Sequence, residues 1–354
     1  MPIPDDAASP AADSVRRLFA RRSLRLPGTR LGAIAYPAPS SRRSHWHYWW
    51  QAHYLDCLLD EHLRHPDGSA LTEARKLARG IWLRNGGRWR NAYYDDMAWL
   101  ALSLQRLDAM EGRQRPRRRV RVLGRALESA HTPDLGGGVF WNTTRDYKNT
   151  PSTAPAALFF ARAGDPARAQ ELLDWLHARL HDPAAGLYLD GVKADGSAEG
   201  TVERTVHTYN QGTVLGALVA TGGEGNLERA SALVHAIADR LADDDGVLPL
   251  ASGGDAGLFT GILARYLSLA VLTPGIDARA AATARSLLEA TAERLWAGRT
   301  TVDGPPSNGT PGATTLVFPP RQDGPVSLSS QLQAWMILEA AGRARARGTR
   351  TGLG

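Results

Sequence analysis

Two aspartates stand side by side in the stretch Tyr93-Tyr94-Asp95-Asp96-Met97-Ala98-Trp99-Leu100. Met97, Leu100, Ala101 and Leu104 follow at helical spacing, so the pair falls in the first turn of a helix with an apolar face. Consecutive helical residues project about 100° apart, so neither carboxyl hides behind the other. Two carboxyl groups roughly 5 Å apart are what retaining glycoside cleavage requires, one as nucleophile and one as acid/base. Ionising one disfavours ionising its neighbour, which keeps a proton available for donation. The plainer reading is helix capping, because free N–H groups and the helix dipole favour acidic residues in a first turn. Other parts of the chain decide between the two.

Three further stretches carry polar chemistry. The loop Gly136-Gly137-Gly138-Val139-Phe140-Trp141-Asn142-Thr143-Thr144-Arg145-Asp146-Tyr147-Lys148-Asn149 combines three glycines, which let backbone pass close to a ligand, with a Trp and hydrogen-bonding groups of every kind. A Trp beside amide and charged groups suits a sugar, whose C–H face stacks on the ring while its hydroxyls take polar partners. The plainer reading is a connector whose Trp plugs the core. His207-Thr208-Tyr209-Asn210-Gln211-Gly212 places an aromatic and two amides at the start of an apolar helix, where buried amides need partners. Leu258-Phe259-Thr260-Gly261-Ile262-Leu263-Ala264-Arg265-Tyr266 taken alone reads as an ordinary amphipathic helix.

Other clusters read as structure. His45, His47 and His53 lie among Trp46, Tyr48, Trp49 and Trp50 without a carboxylate or Cys pattern to complete a metal site, so an aromatic packing helix is expected, with Cys57 a buried small hydrophobe inside it. Asp243-Asp244-Asp245-Gly246 lacks the closing Glu of a calcium loop and reads as a turn. Asp303 and Asp323 flank the last long loop, in which Phe318-Pro319-Pro320-Arg321 is expected to form one wall of a cleft. The run Arg113 to Arg121 is the strongest basic cluster, of a kind that binds nucleic acid or an anionic lipid headgroup; without the interleaved aromatics of a single-strand binder it reads rather as the solvated start of an outer helix. No glycine-rich phosphate motif occurs, and no cofactor or metal is expected.

These residues must be positioned by helices. The chain has 354 residues, 43% of them hydrophobic, with net charge +6 carried almost wholly by Arg; Lys occurs only at positions 76, 148 and 193. The hydrophobic share supports a sizeable core, and the single cysteine excludes an internal disulfide. Helical patterns fall near 44–65, 69–84, 94–110, 115–130, 152–163, 165–181, 208–221, 226–241, 255–273, 276–298 and 326–347. Short strand edges are expected at 138–141, 186–189 and 314–318. Helices 94–110 and 208–221 are apolar nearly all round, whereas 115–130, 226–241 and 276–298 carry a charged face. The expected class is all-α, an (α/α)6 barrel of inner and outer helices. Residues 1–43 read as an N-terminal arm with one short helix near Ala11–Arg22, residues 44–347 as the catalytic domain, and 348–354 as a tail. Arg21-Arg22 is followed by too short an apolar run for an export signal, and no apolar run approaches the ~20 residues of a membrane span. The expected location is the cytoplasm, with non-classical secretion as the alternative.

Four motifs in order, Tyr94-Asp95-Asp96-Met97-Ala98-Trp99, Gly137-Gly138-Val139-Phe140-Trp141-Asn142 with Lys148-Asn149, Thr208-Tyr209-Asn210-Gln211-Gly212, and Phe259 to Tyr266, together resemble glycoside hydrolase family 76, the α-1,6-mannanases, over roughly residues 44–342. The resemblance implies an (α/α)6 barrel and a retaining, endo-acting hydrolysis of α-1,6-linked mannose chains. It implies Asp95 as nucleophile and Asp96 as acid/base. Tyr94, Trp141, Asn142, Lys148, Asn149, Tyr209, Asn210, Gln211, Phe259 and Arg265 become candidates for binding an α-mannan or manno-oligosaccharide, with no metal or cofactor. The expected assembly is a monomer without nucleic-acid partners. A carbohydrate-binding protein without turnover is the alternative, and an epimerase or lyase, which needs paired inward histidines, ranks last because His207 and His235 are its only central candidates. The resemblance departs at the N-terminus, where no leader pattern is read, and at Leu100 and Phe140, where some members carry a second aromatic.

Overall fold

A computed structural model describes residues 3–37, 46–251, 253–305, 312–318 and 325–351, the side chains only to residue 346. Ser44, His45, Pro319, Pro320, Arg321, Asp323 and residues 352–354 of the tail therefore lie outside the described residues. Twelve α-helices run through them: α1 (Ala8–Phe19), α2 (Tyr48–Arg64), α3 (Ser69–Arg84), α4 (Tyr94–Met110), α5 (Arg118–Ala130), α6 (Thr150–Arg162), α7 (Pro166–Leu180), α8 (Thr208–Thr221), α9 (Glu224–Leu241), α10 (Phe259–Leu272), α11 (Ala278–Ala297) and α12 (Leu328–Thr351). Strands are short and antiparallel, so the all-α class holds. Helix α5 starts three residues later than the pattern predicts, because Pro116 and an extended Arg117 hold the chain out of the helix.

Two compact units can be distinguished. The first comprises Met1–Gly87, Asp243–Arg265 and Leu287–Gly354. Here α1 packs on α12, and α2 on α3 and α12. The N-terminal segment is not a free arm. Helix α1 spans Ala8–Phe19, and its stripe of Ala11, Val15, Leu18 and Phe19 is wholly buried. An apolar stripe of that width must be covered, and α12 covers it. Strand Thr300–Asp303 pairs with Thr314–Val317, Val317 facing Thr300, which bears out the expected strand near 314–318.

The second unit comprises Arg88–Ala242 and Tyr266–Ser286. Helix α6 lies against α4, α7 and α8. Its residues from Thr150 through Phe160 are all buried, as a helix apolar on every side requires. Helices α5 and α9 pack against α4 and α8 with their charged faces outward. A three-stranded sheet of Tyr147–Asn149, Gly191–Lys193 and Thr201–Glu203, with Lys148 opposite Val192, stands at the N-terminal end of α6.

The stretch Asp255–Leu272 is long and apolar enough to cross a membrane by length and composition, longer than the sequence reading allowed. However, 72% of it is buried in the protein, as befits a core helix. Asp243 closes the expected turn by accepting from the Asp245 and Val247 N–H groups.

Candidate active site

Helix α4 begins where it does because the residues before it are held in a strand-like register. Tyr93 is extended and bridges Asn142, and the Tyr94 N–H donates to the Trp141 carbonyl at 2.7 Å. The Trp141 N–H in turn donates to the Tyr147 carbonyl at 2.7 Å. The polar loop after α5 is thus laid directly beside the first turn of α4.

That register brings Trp141 to the carboxylate pair. Its indole Nε1–H donates to Asp95 Oδ2 at 3.0 Å, and the other Asp95 oxygen accepts from the Asp96 N–H at 2.7 Å. Two N–H donors on one carboxylate favour its ionised form. Asp96 Oδ2 accepts from Asn91 Nδ2 at 2.5 Å, and Asn91 is itself fixed because its Oδ1 accepts from the Tyr93 N–H. Both aspartates are half-buried at the surface of the unit. Tyr93 and Tyr147 flank the Trp141 ring, with centroids 5.3 and 6.2 Å away.

A second carboxylate centre lies next to the first. An open cleft of about 580 Å³ is lined by Trp141, Asp146, Tyr147, Asp190, Lys193 and His207, among others. Tyr147 donates its hydroxyl to Asp190 Oδ2 at 2.5 Å, and Asn210 Nδ2 donates to Asp190 Oδ1 at 3.0 Å. His207 Nε2 stands 3.9 Å from the same oxygen. Burial and the Asp190 carboxylate push the Tyr147 phenol up, so it remains a proton donor. Gly191 makes this possible: a Cβ there would meet the Tyr147 ring and hydroxyl at 2.6 Å. The Tyr209 ring sits between Trp99 and His207, at 6.5 and 5.7 Å.

The structure thus groups Asp95, Asp96, Tyr94, Trp141, Asn142, Tyr209 and Asn210 near one face of the second unit, with different roles. Tyr94 is buried, and its backbone is what ties the loop to the helix. Asn142 Oδ1 accepts from the Thr144 N–H and hydroxyl, shaping the turn. Asn149 caps α6 by accepting from the Ser152 N–H at 3.2 Å.

Three candidates are corrected. Lys148 does not present its charge to a ligand. It is fully buried, and its ammonium donates to the carbonyls of Thr132, Asp134 and Gly137 and to the Thr132 hydroxyl, all within 2.9 Å. It also lies 4.5 Å from the Phe140 ring centroid. A lysine inside apolar surroundings must satisfy its donors at once, and the glycine-rich loop supplies the oxygens. Gln211 likewise spends its amide on backbone, exchanging hydrogen bonds with Tyr188 N–H and C=O at 2.8 and 2.7 Å. Arg265, in the first unit, is 8% exposed and engages Asp60 at 2.9 Å and Asp56 at 3.4 Å. Phe259, also in that unit, lies 6.5 Å from Trp49. His53, from the aromatic helix, is buried, which pushes its imidazole down to about 3.

The sequence motifs do not include Asn91 or Asp190, and Tyr147 stands in its loop only as one polar group among many. Asp190 ends the hairpin edge 186–189 and precedes Gly191; a carboxylate followed by glycine at a strand start was its one local signal.

Against known proteins, the profile of glycosyl hydrolase family 76 matches residues 5–341. The α-1,6-mannanase GH76A of Salegentibacter sp. HEL1_6 is 27% identical, with a TM-score of 0.82 over 95% of this chain and 98% of that one. A variant of that enzyme, inactive through replacement of two consecutive aspartates by asparagine, has been solved with α-1,6-mannotriose; it gives the same identity and TM-score over 96% and 99% of the two chains. Dfg5 from Chaetomium thermophilum, solved with glucosamine, is 17% identical with a TM-score of 0.73, covering 96% of this chain and 90% of that one, and speaks to the fold alone. None of the curated proteins matches. The mostly helical fold expected from the sequence is the one these structures share.

Proposed function

The chain belongs to glycosyl hydrolase family 76, and from that premise we propose that it is a retaining, endo-acting hydrolase of α-1,6-mannosidic linkages, with Asp95 as nucleophile and Asp96 as acid/base. The observation that carries the reading is the adjacent carboxylate pair at the start of α4, with Asp95 held by the Trp141 indole and the Asp96 N–H. The inactive double-aspartate variant of the Salegentibacter mannanase supports it, since that protein's substitutions fall on two consecutive aspartates.

The chemistry follows from the hydrogen bonds. Asp95, held ionised by two N–H donors, attacks the anomeric carbon of a mannosyl unit. The glycosidic C–O bond breaks as Asp96 gives its proton to the departing oxygen. Asp96, now a carboxylate oriented by Asn91, takes a proton from water. That water attacks the anomeric carbon, displaces Asp95 and releases a manno-oligosaccharide with its anomeric configuration retained. In the neighbouring cleft, Asp190 and His207 are placed to receive sugar hydroxyls, and Trp141 and Tyr147 to meet an apolar sugar face.

Incubation with linear α-1,6-mannotetraose, followed by mass spectrometry and anomeric NMR, tests the reading. Shorter oligosaccharides that appear first in the α configuration are expected. Asp95→Asn and Asp96→Asn are each expected to lower turnover by a factor of 10³ or more, on the order of the loss of a catalytic group, with circular dichroism unchanged. Wild-type turnover in either variant, or saturable binding without cleavage by the unmodified protein, would overturn it.

A further inference from the structure

A groove in the second unit belongs to neither carboxylate centre. It measures about 730 Å³ and lies among the C-terminal end of α4, the first turns of α5 and the end of α6. Its floor is apolar, with Val120, Phe159, Phe160 and Ala163; Arg113, Arg121 and Arg125 stand on its rim. Arg118, Arg121 and Arg125 recur at helical spacing and form one exposed face of α5, while Val120, Leu123 and Leu127 are buried on the other.

The acids near this groove are occupied by cations outside it. Asp108 accepts from the Arg117 N–H at 2.8 Å and pairs with Arg119 at 2.7 Å. Glu128 pairs with Arg168 at 3.1 Å, and Asp165 caps α7 by accepting from the Arg168 N–H. Among the described residues, the side chains of Arg113, Arg121 and Arg125 have neither an ion pair nor a hydrogen-bond partner. The result is a set of spare guanidinium groups above an apolar floor.

Those groups are complementary to a surface of phosphates, since guanidinium forks match phosphate oxygens two at a time. A single-stranded nucleic acid fits less well, because the Phe159 and Phe160 rings are buried and offer no face for base stacking. We propose that the α4–α5–α6 groove docks the protein on anionic phospholipid, with headgroup phosphates on Arg113, Arg121 and Arg125. Asp96 and the groove residue Asp108 lie at opposite ends of α4, about 18 Å apart at 1.5 Å per residue. A protein docked through this groove therefore keeps Asp95 and Asp96 clear of the lipid.

Flotation with phosphatidylcholine vesicles, with and without phosphatidylglycerol, tests the proposal on the full chain. The protein is expected to float only with phosphatidylglycerol present, and progressively less as salt is raised. The combined Arg113→Gln, Arg121→Gln and Arg125→Gln variant is expected to bind on the order of a hundredfold more weakly, since each basic residue contributes about fivefold at such a surface. Its thermal midpoint should match the parent, because none of the three side chains holds a partner in the fold. Equal flotation with neutral vesicles, undiminished binding by the variant, or displacement from phosphatidylglycerol vesicles by an equal phosphate concentration of duplex DNA would each overturn it.

Discussion

At the scale of single residues, Trp141 connects the loop to the chemistry. Its ring is packed between Tyr93 and Tyr147, while its one polar atom reaches Asp95. Trp141→Phe keeps most of the packing and deletes that donor. A hydrogen bond to a charged group is worth about 1.5–3 kcal/mol, so kcat on α-1,6-mannotetraose is expected to fall roughly 10- to 100-fold with little change in thermal midpoint. An unchanged kcat would mean that Asp95 is held by something else. The indole's proximity to an acid was legible in the sequence only as composition, a Trp in a polar loop. The pair Asp95-Asp96 was legible outright, because adjacency is written in the chain. Asp190 was not: its partners Tyr147 and Asn210 lie 43 and 20 residues away, and strand pairing brings them together.

At the scale of elements, the glycine-rich loop is shaped by packing rather than by a ligand. Gly137 and Gly138 have φ of 126° and 74°, and a Cβ on Gly138 would meet the Trp175 ring of α7 at 2.6 Å. The sequence announces such a turn through its three glycines but not what presses against it. The other side of the loop is drawn together by Lys148. Replacing Lys148 with Met strands the carbonyls of Thr132, Asp134 and Gly137, and is expected to cost about 2–4 kcal/mol in denaturant unfolding. The loss should depend on pH. Burial pulls the folded-state ammonium from 10.5 down to about 8. Between those values the unfolded chain holds more protons at this residue than the folded one, so its contribution to stability rises with pH. The penalty for burying the charge is fully present below about pH 8 and is relieved as pH climbs toward 10.5. Unfolding free energies of parent and Lys148→Met are therefore expected to diverge further at pH 9.5 than at pH 7.5. A gap that stays constant would show that this proton is not linked to folding.

At the scale of the whole molecule, helical periodicity made most helices legible, including α3 and α4 to the residue, because amphipathic spacing is a local signal. What periodicity does not carry is which buried charges meet across the chain, and Arg265 shows the consequence. Its motif pointed to a ligand, yet its guanidinium joins Asp56 and Asp60 of α2, and Asp60 also receives Arg343 of α12 at 3.1 Å. Nearby, Arg64 of α2 pairs with Glu339 of α12 at 3.1 Å, and burial pushes the Glu339 carboxyl up despite that partner. Segments almost 290 residues apart in the chain (Asp56 and Arg343) are thus tied by charge in the first unit. Removing one partner of a buried ion pair typically costs about 3–5 kcal/mol, because the remaining charge is left without compensation. Arg265→Gln is expected to lose that much in urea unfolding while KM for α-1,6-mannotetraose stays at the parent value. Arg265→Lys, which keeps the charge but not the fork, should recover part of the stability and separates loss of charge from loss of geometry. A raised KM in both variants, with stability intact, would instead return Arg265 to the sugar-binding role that its motif implied. The structural assignment requires the opposite split, with stability moving and KM fixed, since every guanidinium contact described for Arg265 is made within the fold.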